Sequence, residues 1–331
     1  MKVLYAIQGT GNGHLSRARD IIPILKTKNI DLDILISGNQ ADVDLPHTIK
    51  YKFHGLSFIF GKKGGVDLWK TYTSSNLTEL RNDIKKLPIS NYHLIINDFE
   101  PVSAWAAKRK NVPCVSFSHQ AAVLSKNAPK PTKPNFIGAQ ILKRYAPTEK
   151  QFGLHFKAYN SEVFTPIIRK EIREAKTENL NHYTVYLPAY DDDRILSILS
   201  LIPNAQWQVF SKHNKEKRIN GNVTIQAINN DAFIKSLLTC KGLFCGGGFE
   251  APAEALFLKK KLMVIPMKGQ YEQQCNAAAL KQMGVPVIPE LKKKHLSKIK
   301  KWVTNNERVN VNFPNQTEDI IDQILAYAKS K

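Results

Sequence analysis

Short apolar runs alternate with stretches of helical spacing along the whole chain, and this alternation restricts the possible folds more than any other feature. Apolar runs that are each followed by a turn and a helical stretch are typical of βαβ units, which build parallel sheets. In the first half, the predicted strands are residues 2–8, 32–37, 92–97 and 112–117. In the second half, they are residues 183–187, 207–210, 223–226, 242–245 and 262–266. The pattern predicts an α/β protein with two doubly wound parallel sheets.

The chain length favours two domains, because 331 residues fit two units of roughly 150 residues each. Residues 165–182 are charged and polar with a helical middle, which favours a linker over a core element. We therefore predict one Rossmann-like domain over residues 1–166 and a second over residues 167–314. Residues 315–331 contain a helix-like tail with an apolar stripe, so we expect this tail to dock on another part of the protein.

The charge balance narrows the classes of partner. Lys and Arg number 48 against 28 Asp and Glu, which gives a net charge of +20 that is spread over both halves. This excess favours an anionic partner: nucleic acid, an acidic lipid surface or a phosphorylated small molecule. The four cysteines lack CxxC spacing, so neither a zinc knuckle nor a disulfide framework is predicted. The chain shows no signal-peptide core and no transmembrane run, and we expect a cytoplasmic protein.

A glycine-rich loop, GTGNGH, follows the first predicted strand directly, and a helix is expected to open after it at Leu15. The loop consists of Gly9, Thr10, Gly11, Asn12, Gly13 and His14. Glycines at this place let backbone N–H groups approach a ligand closely and leave a helix N-terminus facing it. The same pattern marks dinucleotide binding, but residues 34–40 (ILISGNQ) offer no acidic residue to hold a ribose. NAD binding is therefore disfavoured, and a tight structural turn is the remaining alternative.

Polar side chains at the carboxyl ends of the predicted strands form a candidate catalytic group. His14 is positioned as a general base, because ligands of open α/β sheets bind at this edge. Asp98 follows the apolar strand HLII, so its carboxylate can orient His14 and stabilise its charge. The alternatives are a solvent-facing histidine at a helix start and, for Asp98, a turn or cap before a helix over residues 101–109.

Two neighbouring segments add candidates at the same edge. Glu100 lies with Asp98 in the NDFEP segment, and Gln120 follows His119 at the end of another strand. We group Glu100, His119 and Gln120 with the glycine loop as acceptor-side residues. His119 is the rival to His14 as the base.

Two segments of the second half repeat the arrangement of strand, loop and helix. GGGFEAPAEAL spans residues 246–256 and places Glu250 and Glu254 four residues apart near a helix start. Free N–H groups there can hold a diphosphate, and a carboxylate beside it can accept both hydroxyls of a ribose. MKGQYEQQCNAAAL spans residues 267–280, and its amide and acid groups can hydrogen-bond sugar hydroxyls. The alternatives are acids that only complement a helix dipole and amides that are ordinary caps.

These three segments, in this order, resemble those of nucleotide-sugar glycosyltransferases with two Rossmann-like domains, the GT-B fold. The likeness is to family 1 and family 28 members, including the bacterial cell-wall N-acetylglucosaminyltransferase. GTGNGH is similar to their GTGGH loop, and EQQCNA is similar to their (D/E)QxxNA stretch. NDFEP, SHQ, LPAYDDD and WQVFSK also resemble a bacterial and archaeal branch related to glycosyltransferases, over nearly the whole chain.

The resemblance implies transfer of a sugar from a UDP-sugar to an acceptor hydroxyl, with inversion and without a bound metal or other cofactor. The reaction would take place between an N-terminal acceptor domain and a C-terminal donor domain, with the tail helix crossing back onto the N-terminal domain. His14 would remove the acceptor proton with support from Asp98, while Glu254 would clamp the ribose. The donor-binding residues that the resemblance implies are Gly247, Gly248, Phe249, Glu250, Glu254, Gln270, Glu272, Gln273 and Asn276.

Within this set, the resemblance implies more specific roles for four residues. Gly247 and Gly248 would give backbone N–H groups to the diphosphate, and Glu272 and Gln273 would hold hydroxyls of the donor sugar. Asp191–Asp193 in LPAYDDDR look like a DxD metal site, but capping of the next helix is the better interpretation.

Two other functions remain alternatives. A UDP-sugar 2-epimerase uses the same double fold and the same donor. A basic nucleic-acid-binding protein fits the charge, although no recognised nucleic-acid motif is present. Residues 58–72 and 126–145 mix apolar with basic side chains, which is expected of a surface resting on anionic lipid and also of solvated acceptor loops. A lipid-linked acceptor and peripheral contact with an anionic membrane are therefore further expectations.

Overall fold

The computed structural model describes residues 1–10, 12–38, 45–55, 60–61, 65–66, 77–133 and 135–331. Within these residues the chain forms two sheets surrounded by helices, which we call the N-lobe and the C-lobe. The N-lobe sheet is parallel, and the C-lobe sheet is parallel except for one edge strand. The predicted fold class, two doubly wound Rossmann-like units, is confirmed.

In the described N-lobe, the sheet has seven strands in the order β3-β2-β1-β6-β7-β8-β9. The N-lobe strands, including the short hairpin β4–β5, are β1 (Lys2–Gln8), β2 (Asp31–Ser37), β3 (Tyr51–Phe53), β4 (Phe60–Gly61), β5 (Gly65–Val66), β6 (Leu94–Asp98), β7 (Cys114–Ser118), β8 (Lys150–Leu154) and β9 (Val163–Phe164). The helices are α1 (Asn12–Thr27), α2 (Leu77–Lys86), α3 (Pro101–Lys110), α4 (His119–Leu124) and α5 (Phe136–Tyr145). Because β1, β6 and β7 are neighbours, their carboxyl ends meet at one edge.

The C-lobe sheet that the structure describes has the order β12-β13-β11-β10-β14-β15, with β12 antiparallel to β13. Its strands are β10 (His182–Tyr186), β11 (Gln206–Ser211), β12 (Arg218–Asn220), β13 (Val223–Ala227), β14 (Gly242–Gly246) and β15 (Lys261–Ile265). The helices that follow β9 are α6 (Lys170–Arg173), α7 (Asp192–Leu199), α8 (Asn230–Thr239), α9 (Glu250–Phe257), α10 (Tyr271–Gln282), α11 (Leu296–Thr304) and α12 (Thr317–Lys329).

All nine strands predicted from apolar runs are present, and their ends agree with the prediction within two residues. The prediction missed the short hairpin strands β4 and β5 and, in the two main sheets, β3, β8, β9 and β12. These strands lie at the edges of their sheets or next to them, and sequences such as KQFGL and RIN contain few apolar residues. A strand that buries little apolar surface gives no apolar run, so periodicity does not detect it.

The segment that joins the lobes is packed into the core, which corrects the expectation of a linker. Ile167, Ile168 and Ile172 are buried, and all three belong to an apolar cluster that contains side chains of both lobes. The charged residues between them hid this apolar face in the sequence. The predicted domain boundaries stay predictions: β9 ends at Phe164, and β10 begins at His182.

The tail helix α12 returns to the N-lobe and packs against α1. Its apolar stripe is buried, and Lys28 at the end of α1 lies 2.8 Å from both Glu318 and Asp322. Helix α12 therefore packs the C-terminal part of the chain against the N-lobe.

Candidate functional site

Three neighbouring strands bring the predicted acceptor-side residues to one edge of the N-lobe. Ile7 of β1 pairs with Asp98 of β6, and β7 ends at Ser118 beside it. Helix α1 begins at Asn12 and not at Leu15, so Gly13 and His14 lie in its first turn. This earlier start turns the His14 side chain toward the end of β6.

His14 and Asp98 form a direct pair, which the sequence had suggested. His14 Nδ1 lies 2.8 Å from Asp98 Oδ1, and Asp98 is completely buried. The other ring nitrogen, Nε2, faces the side-chain amide of Gln120 at 3.4 Å. An ionised carboxylate accepts only, so it selects the tautomer with the proton on Nδ1 and leaves Nε2 as an acceptor toward the cleft.

The cap before α3 is Glu100 and not Asp98. Glu100 Oε1 accepts from Val102 N and from Ser37 Oγ, both at 2.6 Å, and Oε2 accepts from Ser103 N at 2.7 Å. The side chain is fully buried, and burial raises its pKa above the ordinary value. The fold thus uses both oxygens of Glu100, and an acceptor-side role for this residue stays a prediction.

His119 does not fit the alternative that it is the base. It is buried, with Nδ1 2.7 Å from the Leu154 carbonyl and Nε2 2.6 Å from Asn276 Oδ1. Its ring stacks on Phe249 of the C-lobe at a centroid distance of 3.8 Å. Burial lowers the pKa of His119. Both ring nitrogens face protein oxygens, so His119 links the lobes and has no nitrogen left for a substrate.

The glycine loop after β14 contains two glycines with different requirements. Gly247 donates its N–H to the Ile265 carbonyl at 3.1 Å, and a Cβ there would lie 2.9 Å from the Gln273 carbonyl oxygen. Its N–H is therefore not available to a diphosphate, which corrects that expectation. A Cβ on Gly248 would meet nothing within 4 Å, and Gly248 lines the cavity described next. Phe249 stands at the N-cap of α9 without a side-chain cap, so the first N–H groups of α9 keep no capping partner.

A cavity of about 570 Å³ lies between the lobes at this loop. From the C-lobe it is lined by residues that include Gly246, Gly248, Phe249, Glu250, Glu254 and Gln273. From the N-lobe it is lined by the first turns of α1, through Asn12, Gly13, Ser16 and Arg19. This volume lies within the range of small-molecule and cofactor sites.

The first part of the GTGNGH loop has a structural role. Gly9 N donates to the Ser37 carbonyl at 2.6 Å, and a Cβ on Gly9 would lie 2.6 Å from the Gly38 carbonyl oxygen. Thr10 Oγ1 accepts from the Gln8 side chain at 2.7 Å. Gly11 lies outside the described residues.

Two buried arginines, which the sequence analysis missed, bind the two glutamates of α9. Arg17 donates to Glu250 Oε1, and Arg169 donates to both oxygens of Glu254, at 2.5 and 2.9 Å. Burial and the nearby Glu254 raise the pKa of Glu250 to about 7 against the opposing charge of Arg17. Because Arg169 occupies both oxygens of Glu254, a ribose would have to share this carboxylate with Arg169.

The sequence contains a weak indication for Arg17 and none for Arg169. Arg17 lies three residues after His14, which places both on one helix face, so spacing alone could have suggested it. Arg169 stands in the segment interpreted as a linker, and its partner Glu254 is 85 residues away. No local pattern predicts that pair.

In the segment before and within α10, Glu272 contacts the N-lobe and Gln273 lines the cavity. Glu272 Oε2 accepts from Gln120 at 3.1 Å, and Gln273 Oε1 accepts from Met267 N at 3.0 Å. Gln270 Oε1 is buried and has no hydrogen-bond partner in the part of the chain that the structure describes. Asn276 is fully buried and donates to the Gly247 carbonyl at 3.0 Å. Asn276 therefore holds the glycine loop, and its direct contact with a donor stays a prediction.

The interpretation of the DDD segment as a cap is confirmed. Asp191 is the N-cap of α7 and accepts from Arg194 N at 2.7 Å, while Asp192 accepts from Ser211 Oγ at 2.6 Å. Among the described residues, no group of three or more His, Cys, Asp and Glu side chains is arranged to hold a metal ion.

Comparison with known proteins agrees with this geometry. The family model described as glycosyl transferase family 1 matches residues 1–306. No curated protein sequence matches the chain. Solved structures with the same fold include the glycosyltransferase SnogD from Streptomyces nogalater, with a TM-score of 0.54 and 12% identity over 98% of this chain and 99% of that one.

Two further structures represent other branches of the fold. MurG from Acinetobacter baumannii has a TM-score of 0.55 and 12% identity, covering 99% of this chain and 98% of its own. UGT2 from Phytolacca americana, complexed with UDP-2fluoro-glucose and pterostilbene, has a TM-score of 0.58 and 12% identity, covering 99% and 94%. At this identity the structural likeness establishes the fold, while the family model covers nearly the whole chain. The protein is a GT-B glycosyltransferase and belongs to glycosyl transferase family 1.

Proposed function

We propose that the enzyme transfers a sugar from a nucleotide-sugar, specifically a UDP-sugar, to an acceptor hydroxyl with inversion and without a metal ion. One observation carries this proposal. The His14–Asp98 pair stands at the N-lobe side of the cleft, and the cavity beside it has the uncapped start of α9 on the opposite side. His14 does not itself line this cavity, but it shares the first turn of α1 with Asn12 and Gly13, which do. A base beside a cavity that an anion-binding helix start lines fits a transfer from a diphosphate leaving group.

The proposed reaction needs one proton acceptor and one anion site. The acceptor oxygen forms a bond to C1 of the donor sugar on one face, while the bond from C1 to the diphosphate oxygen breaks on the other. His14 Nε2 takes the acceptor proton, and Asp98 stabilises the resulting imidazolium through Nδ1–H. The leaving diphosphate carries the electron pair away and is stabilised by the N–H groups at the start of α9.

The choice of a nucleotide-sugar rests on what the cavity offers and on the neighbours. Neither the backbone nor the packing requires a glycine at position 248, because its φ is not positive and a Cβ there would meet nothing within 4 Å. The absent side chain leaves room for a ligand. Gln270 has a buried oxygen without a partner among the described residues, and Glu272 accepts from Gln120 of the N-lobe. The glycosyltransferase VinC, another structural neighbour, was solved in complex with DTDP and UGT2 with UDP-2fluoro-glucose, and both ligands contain a nucleoside diphosphate.

A thermal-shift panel of UDP-, GDP- and dTDP-sugars tests the donor. We expect UDP-sugars to raise the unfolding midpoint of the wild type, because a ligand at 100 times its Kd adds about 2.7 kcal/mol to the free energy of unfolding. The matched control is Gly248→Val, whose side chain enters open space in the cavity. This variant should keep the unliganded midpoint and show no shift. Equal shifts in both proteins, or none in the wild type, would contradict the proposed donor site.

The same samples separate transfer from epimerisation. Incubation with UDP-glucose or UDP-N-acetylglucosamine and no acceptor should leave the sugar configuration at C2 unchanged, because the proposed reaction needs an acceptor hydroxyl. Formation of the 2-epimer, detected by NMR, would favour the epimerase alternative. Membership of a glycosyltransferase family removes the support for a nucleic-acid-binding protein.

The acceptor side carries a surface suited to a membrane. On α5, Phe136 and Ile137 are 78% and 71% exposed, and the exposed Lys143 and Arg144 follow on the same helix. Gly138 of α5 packs against Tyr271 of the C-lobe, so this surface borders the cleft. Exposed apolar side chains with neighbouring cations fit an anionic bilayer. We propose peripheral membrane contact and a lipid-linked acceptor on this basis.

Two further observations bear on the membrane hypothesis. Most of residues 58–72 lies outside the described residues. None of the described helices is long and apolar enough to cross a bilayer.

Co-sedimentation with vesicles of phosphatidylglycerol and phosphatidylcholine tests the α5 surface. We expect binding at low salt, and we expect Phe136→Ser with Ile137→Ser to weaken it more than about tenfold, since each buried side chain contributes about 1.5–3 kcal/mol. Ile219→Ser is the matched control, because Ile219 is 69% exposed but lies in the C-lobe. Unchanged binding of the double variant, or no binding of the wild type, would refute the membrane proposal.

A further inference from the structure

Arg17 lies at the centre of the site, and the proposed reaction gives it no role. Its side chain is 2% exposed. One terminal nitrogen, Nη2, donates to Oδ1 and Oδ2 of Asp98 at 2.6 and 2.7 Å and lies 3.3 Å from His14 Nδ1. The other, Nη1, donates to Glu250 Oε1. Arg17 therefore contacts the N-lobe pair and the C-lobe at the same time.

The contacts of Arg17 fix the charge of Asp98. Burial by itself raises the pKa of Asp98, but the charges of Arg17 and His14 outweigh burial and hold this pKa below its ordinary value. A carboxylate that stays ionised can only accept hydrogen bonds. Arg17 thus keeps Asp98 as the partner of His14 Nδ1, and the orientation of His14 depends on it.

Glu250 makes this arrangement depend on the C-lobe. It is the first residue of α9, and its side chain is 19% exposed at the donor cavity. It also fills the hollow beside Gly13, where a Cβ would lie 2.9 Å from Glu250 Cγ. Because Arg17 and Gly13 belong to the N-lobe, both contacts of Glu250 exist only when the lobes are together.

We propose that Arg17 is a positioning residue that holds the His14–Asp98 pair in its reactive geometry when the lobes are closed and Glu250 binds the second guanidinium nitrogen. This inference rests on the function proposed above and deepens it. With the lobes apart, Arg17 keeps only its N-lobe contacts, and its guanidinium is no longer fixed from both sides. The base is then positioned only in the arrangement that also assembles the donor cavity.

The test measures UDP release from UDP-glucose and UDP-N-acetylglucosamine, with water as the acceptor, between pH 5 and 9. We expect Arg17→Met to lower kcat about 100-fold and to leave the donor KM within about threefold, because misplacement of a reacting group affects the transition state. The acid limb of its pH–rate profile should move to higher pH, because without the charge of Arg17 the burial of Asp98 acts to raise the pKa of this carboxyl. Glu250→Gln should leave the acid limb in place, because the pKa of Glu250 is about 7 and its carboxyl is already mostly protonated on the acid side.

The different responses of the two variants separate positioning from a structural role. Arg109→Met, at the exposed end of α3, is the control and should keep the wild-type profile. If Arg17→Met does not fold, the double variant with Glu250→Gln removes the unpaired carboxylate and is measured instead against Glu250→Gln. An equal shift in both variants, no shift in Arg17→Met, or a loss confined to KM would overturn the inference. Absence of UDP release by the wild type, together with no thermal shift from any UDP-sugar, would instead overturn the proposed function.

Discussion

His14→Ala should lower kcat about a thousandfold and leave donor affinity within about threefold of the wild type. A positioned general base contributes about 10²–10⁴ in rate, and His14 Nε2 is the ring nitrogen that the Asp98 contact leaves facing the cleft. Among the residues that line the donor cavity, His14 does not appear, so nucleotide binding should survive its loss. Initial rates of UDP release and calorimetric titration with the donor measure the two quantities.

The control for this experiment is His93→Ala. His93 is exposed and lies just before β6, at the opposite end of the strand from Asp98 and the cleft. It should retain full turnover. A His14→Ala enzyme that keeps more than about a tenth of wild-type turnover would contradict the assignment. His119 is not a substitute base, since protein oxygens occupy both of its ring nitrogens.

Glu254→Ala should reduce the free energy of unfolding by about 3–5 kcal/mol, with weaker donor binding as the smaller effect. The sequence alone suggested a ribose clamp, but the carboxylate is 4% exposed and binds Arg169 through both oxygens. Removing one partner of a buried ion pair leaves the other charge without compensation, which is the origin of the cost. Urea denaturation at fixed pH measures it.

Two variants show whether the buried pair is the cause. Glu171→Ala removes a second carboxylate partner of Arg169, which is 46% exposed, and should cost less than about 1 kcal/mol. Arg169→Leu combined with Glu254→Leu removes both charges and should recover most of the stability lost in Glu254→Ala. If Glu254→Ala and Glu171→Ala are equally stable, the buried Arg169–Glu254 pair does not contribute the predicted free energy of unfolding.

The sequence predicted what depends on local patterns. Apolar runs predicted the central strands, since a buried parallel strand needs a continuous apolar segment. The pairing of His14 with Asp98 followed from a general property of parallel sheets, in which residues after neighbouring strands meet at one edge. Both inferences used only short segments and the topology that they imply.

The remaining features depend on contacts between distant segments. Arg17 and Glu250 are 233 residues apart, and nothing near either residue indicates the other. Gly247 and Gly248 look equivalent in the sequence, and only the position of Ile265 and Gln273 shows that one N–H is occupied. Likewise, the position of Asn276 beside the Gly247 carbonyl gives it a supporting role where the motif implied contact with a sugar.

The crossover through Ile167, Ile168 and Ile172 limits how far the lobes can swing apart. These side chains are anchored in apolar surroundings that belong to both lobes, so a wide rotation would expose them to water at about 1.5–3 kcal/mol each. Small displacements avoid this cost. We therefore expect the lobes to move apart only slightly when substrates enter the cleft. The segment that contains Ile167, Ile168 and Ile172 would act as a stiff hinge.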